Sequence, residues 1–169
     1  VRKNRQKALD LILKHEGGFA VRANEPGGAV NMGITLQLLG EHWKKSRRVP
    51  GPTIRDLKAL SPKEAEAIYC ARFIDPIKFD ELPAGTDYAW LDFCMNSGTR
   101  GAVDTLAKHL HITAPAVLTW LKKKLPMDAI ATISAARLAK MKAHKDWPTY
   151  GKGWTKRVSE VAETAKEML

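Results

Sequence analysis

Glu16 is the residue whose type and setting could do chemistry, in the segment His15-Glu16-Gly17-Gly18-Phe19. Leu9, Ile12, Leu13 and Glu16 recur at i, i+3, i+4 and i+7, so the acid closes the apolar stripe of a helix expected over residues 5–16. A carboxyl desolvated at the edge of such a stripe holds its proton more tightly. That is the property a general acid for glycoside cleavage needs. Gly17 and Gly18 remove side-chain bulk beside it, leaving room for a polymer. The same spacing also fits a helix-end carboxylate that caps or salt-bridges, and periodicity alone favours that plainer role.

Glu25 follows in the turn Asn24-Glu25-Pro26-Gly27-Gly28. A turn folded back over a cleft would make it the second carboxylate, either the base that activates water or a charge that stabilises an oxocarbenium ion. An exposed turn acid is the alternative. Tyr88, Asp92 and Asn96 fall at i, i+4 and i+8 on the most apolar helix, expected over residues 87–97. They form either a stripe that binds N-acetyl groups and hydroxyls or a hydrogen-bonded seam between helices. Trp43, Trp120, Trp147 and Trp154 can stack on sugar rings or anchor the core.

These residues need a frame. Phe19-Ala20-Val21 and Ala29 to Thr35 read as a small β-hairpin near residues 19–35. Helices are expected near 36–44, 54–60, 62–73, 101–110, 114–125, 127–143 and 153–167, with Pro126 and Pro148 as breaks. Thr53 with Asp56, and Ser61 with Pro62 and Glu64, are helix-start signals. The expected fold is mainly α. It is a single domain over residues 1–169, with a catalytic part at about 5–98 and a helical C-terminal part at about 99–169.

The net charge of +10 favours polyanionic partners: nucleic acid, anionic lipid or bacterial wall polymers. No helix-turn-helix, zinc-finger or RNA-binding signature selects a specific nucleic acid. Cys70 and Cys94 lack metal-ligand spacing and read as buried free thiols, so neither a metal nor an organic cofactor is expected. No apolar run reaches the length of a membrane span, and no signal peptide is visible, which leaves the export route open.

Several segments, in order, resemble glycoside hydrolase family 108, the phage-type and secretion-associated N-acetylmuramidases. They are His15 to Phe19, Pro26-Gly27-Gly28-Ala29, Gly33-Ile34-Thr35, Leu82 to Ala89, Asp92-Phe93, Asn96-Ser97-Gly98, and Trp147 to Trp154 with Arg157. The resemblance implies a lysozyme-like helical domain that hydrolyses the β-1,4 bond between N-acetylmuramic acid and N-acetylglucosamine. It implies Glu16 as catalytic acid, peptidoglycan glycan strands as partner, and action on the periplasmic or extracellular wall. A monomer is expected. The family usually has Asp where Glu25 stands and often Thr where Val30 stands. In related lysozymes that Thr helps hold the attacking water, a role Asn31 or Thr35 would have to take. Alternatives are a relative that binds glycan without cleaving it, and a lytic transglycosylase that uses Glu16 alone.

Overall fold

The computed structural model describes the backbone of residues 2–16, 18–21, 28–46 and 51–169, and the side chains of these except 2, 3, 14–16, 45 and 46. Two compact units make up the chain: residues 6–72, and residues 1–5 with 73–169. The described part is mostly helical with one small antiparallel sheet.

The first unit holds most of helix α1 (Arg2–Glu16), which contains neither Gly nor Pro and stops before Gly17-Gly18. Strands β1 (Ala20–Val21), β2 (Ala29–Asn31) and β3 (Ile34–Thr35) follow, paired in that order. The sequence suggested a two-stranded hairpin, and the third strand is a correction. Met32 and Gly33 both take positive φ, 47° and 71°, the requirement of the tight turn whose twist matches paired strands. Val30 thereby pairs with Thr35, and Asn31 with Ile34.

Helices α2 (Leu36–Ser46), α3 (Ile54–Lys58) and α4 (Pro62–Tyr69) complete this unit. Both expected capping boxes form, Thr53 with Asp56 and Ser61 with Glu64. The sheet is pinned from two sides. The Asn31 amide donates to the carbonyls of Leu57 at 2.9 Å and Lys58 at 3.3 Å, which end α3. The Tyr69 hydroxyl donates to the Met32 carbonyl at 2.9 Å and fixes the tight turn. A π-helical turn, Cys70–Ile74, extends α4.

The second unit is built on α5 (Thr86–Ser97), whose residues 86–94 are all buried. Helices α6 (Thr99–Leu110), α8 (Pro126–Lys142) and α9 (Trp147–Lys166) pack on it, and α7 (Ala116–Lys123) packs on α6. Gly85 precedes α5 at φ 79°, where a Cβ would lie 2.5 Å from the Ala165 carbonyl oxygen. A side chain is excluded there on both counts. The sequence marks Pro148 as a break, but it lies in the first turn of α9, where a missing N–H costs nothing. Cys94 is a buried free thiol and burial pushes its pKa up, whereas Cys70 is half-buried, contrary to expectation.

Asp87, fully buried in the first turn of α5, accepts hydrogen bonds from its neighbour Tyr88 N–H at 2.7 Å and from the Asn4 amide at 3.2 Å. Burial raises its pKa above the ordinary 3.8, and these hydrogen bonds only partly offset that. The folded state therefore keeps this proton at pH values where the unfolded chain has lost it. Stability tied to this group falls as pH rises through the carboxylate range. The Asp87→Asn variant lacks that loss. Its stability relative to wild type, from urea unfolding at a series of pH values, is expected to improve from pH about 3 to about 7; a flat difference would contradict the assignment.

Candidate functional site

The expected site residues fall in both units. In the first, Glu16 is the last residue of α1, and its side chain lies outside the described residues. So does all of Glu25, which stands in the stretch joining β1 to β2. Asn31 is 6% exposed with its amide hydrogens committed to α3. Thr35 is half-buried, and its hydroxyl oxygen accepts the Leu38 N–H at 3.2 Å, which caps the start of α2. The hydroxyl proton of Thr35 is free of that bond and can be donated.

In the second unit Tyr88, Asp92 and Asn96 share one face of α5, and the structure surrounds them with two arginines. Arg137 of α8 donates through Nη1 to Asp92 Oδ2. Arg157 of α9 donates through Nη2 to Asp92 Oδ1 at 2.9 Å. The Asn96 amide adds a bond to Oδ2 at 3.2 Å and one to the Asp92 backbone carbonyl at 2.7 Å. Asp92 and Arg137 are both buried, whereas Arg157 and Asn96 are exposed. Burial, and then the charge of Asp92, push the Tyr88 phenol pKa up. The phenol thus stays protonated, a hydrogen-bond donor beside a fixed carboxylate.

Arg137 has no counterpart in the sequence expectations. Its signal was present: Ile130, Ile133 and Arg137 follow at i, i+3 and i+7, so a charge sits on the buried face of α8. A buried charge demands a buried counter-charge, and Asp92 is one of two buried acids on the apolar α5. The Arg137 Nε and Nη2 atoms are buried and have no hydrogen-bond partner among the described residues. Its guanidinium carbon lies 6.0 Å from the centre of the Phe93 ring.

The aromatic residues near the start of α9 form a surface cluster. Tyr150 stacks on Trp154 at 6.0 Å, Trp147 tilts against Trp154 at 6.2 Å, and His144 meets Trp154 edge-on. Tyr150 is 57% exposed. Such rings can lie against the apolar face of a sugar. Among the described residues no three His, Cys, Asp or Glu side chains group to hold a metal ion. No described helix is long and apolar enough to cross a membrane.

The profile of the Glycosyl hydrolase 108 family matches residues 9–98. Among solved structures, that of Brucella abortus SagA is similar, with 34% sequence identity and a TM-score of 0.81 over 99% of this chain and 97% of the other. No curated protein sequence matches.

Removing Asp92 leaves two guanidiniums facing each other, one of them buried. Asp92→Ala is expected to cost about 3–5 kcal/mol, and Arg157→Ala, at a half-exposed partner, only about 1 kcal/mol. Chemical denaturation of both variants checks the order. Equal small losses would show that the cluster does not hold the helices.

Proposed function

The chain belongs to the Glycosyl hydrolase 108 family, and from that premise we propose that it is an N-acetylmuramidase. It cleaves the β-1,4 bond between N-acetylmuramic acid and N-acetylglucosamine in peptidoglycan, on the periplasmic or extracellular wall. The observation that carries this reading is the family match over residues 9–98, which spans both Glu16 and Glu25. Glu16 is the last residue of α1 and is followed in the sequence by two glycines. Its place at the end of the apolar stripe of Leu9, Ile12 and Leu13 is what would keep its carboxyl protonated.

In this reading Glu16 gives its proton to the glycosidic oxygen as the bond to the anomeric carbon breaks. Glu25 supports the positive charge that develops there, or takes the proton of the attacking water. Water delivers its oxygen to the anomeric carbon, and the leaving sugar departs as an alcohol. Val30 cannot orient that water. Its cross-strand partner Thr35 shares its face of the sheet and keeps a hydroxyl proton to donate. Asn31 is buried and holds α3, which makes Thr35 the better substitute. In the second unit Asn96 is exposed and its amide oxygen can accept from a glycan hydroxyl, while Asp92 anchors it and Tyr88 is buried. The exposed aromatic face of α9 and the +10 charge suit an anionic glycan.

A second reading rests on Val30. An enzyme with no residue to hold water can close the sugar on itself through Glu16 alone, as a lytic transglycosylase.

Glu16→Gln keeps the shape of the side chain and removes its proton. Release of soluble fragments from purified peptidoglycan is expected to fall by at least about a hundredfold, with an unchanged circular dichroism spectrum and melting temperature. Activity retained in that variant would remove Glu16 from the mechanism.

A further inference from the structure

A groove of about 480 Å³ opens between α6 and α8 and has no part in the proposed cleavage. Ala136 and Ala139 of α8 and its C-cap Ala143 line it with small side chains, the first buried and the other two exposed. Its rim is basic. Lys108 and His109 come from the last turn of α6, His111 from just beyond it, and Lys140 from α8. No acidic side chain lines it. Asp104, one turn before Lys108, is held by Arg100 at 3.8 Å. None of the four basic side chains has a hydrogen-bond or ion-pair partner among the described residues.

Basic residues at a helix C-terminus commonly offset its dipole. That explanation is weak here, because α6 already closes with its own backbone. The Ile112 N–H donates to the Ala107 carbonyl at 3.0 Å, and the His111 N–H to the Lys108 carbonyl at 3.3 Å. This closure puts His111 at φ 57°, a left-handed conformation in which glycine or asparagine is far commoner. The side chain that glycine would omit is an imidazole on the groove.

We propose that this groove binds a phosphate-bearing sugar or polyol. Two lysine ammonium groups and two imidazoles line one concavity that holds no carboxylate, which suits a compact anion with several acceptor oxygens. The three alanines leave space for a carbon skeleton attached to that anion. No Phe, Tyr or Trp side chain lines the groove, so stacking of nucleobases would fall to the two imidazoles alone.

The test is titration of the protein with inorganic phosphate and with glycerol phosphate, at fixed pH and ionic strength, followed by the histidine side-chain NMR resonances. Saturable shifts of His109 and His111 are expected, with glycerol phosphate binding more tightly. Lys108→Gln with Lys140→Gln, both exposed positions, should weaken binding about tenfold. Lys152→Gln with Lys156→Gln removes equal charge from α9 and should leave binding within about twofold. Shifts that do not saturate, equal weakening in both double variants, or tighter binding of a short oligonucleotide of equal charge would each overturn the proposal. Binding is read without peptidoglycan, so its failure is distinct from failure of the Glu16 mechanism.

Discussion

An aspartate in the middle of an apolar helix is a destabilising element unless something answers its charge. Asp92 lies on α5, the helix that the second unit is built on, and is answered by Arg137 from α8 and Arg157 from α9. One carboxylate thereby addresses three helices at once. The constraint is tighter than a surface pair, because Arg137 is itself 2% exposed and two of its nitrogens have no partner among the described residues. Its contact with Asp92 is what makes that burial tolerable. The exposed members, Arg157 and Asn96, inherit their positions from this buried core. Whatever α5 and α9 present at the surface is held in place by a charge below it.

The first unit depends on smaller devices with the same logic. Asn31 satisfies two carbonyls at the end of α3, and Tyr69 satisfies one in the β2–β3 turn. Each is a side chain that fastens a helix to a sheet too short to be stable alone. The proposed catalytic acid stands at the end of α1 just before that sheet. Its chemistry requires a frame that stays fixed while a glycan strand is bent and protonated.

Much of this frame was legible in the sequence. Both capping boxes, the helical character and the small antiparallel element follow from local chemistry, which acts over a few residues and leaves a local signature. The features that escaped have non-local or ambiguous causes. The β2–β3 turn carries Met32 where Asn or Asp would announce positive φ, so the third strand was hidden. Pro148 reads as a break until α9 is seen to start at Trp147. Arg137 was overlooked because its partner lies 45 residues away and no spacing rule joins them. The roles proposed for Glu16 and Glu25 came from ordered motifs. Periodicity alone could not separate an acid catalyst from a helix cap.

The central claim is that this protein uses water to cut glycan strands at N-acetylmuramic acid. Mass spectrometry of the fragments released from purified peptidoglycan by the wild-type protein tests it most directly. Fragments ending in reducing N-acetylmuramic acid are predicted. Anhydro-muramic ends, reducing N-acetylglucosamine ends, or strands left uncut would contradict it.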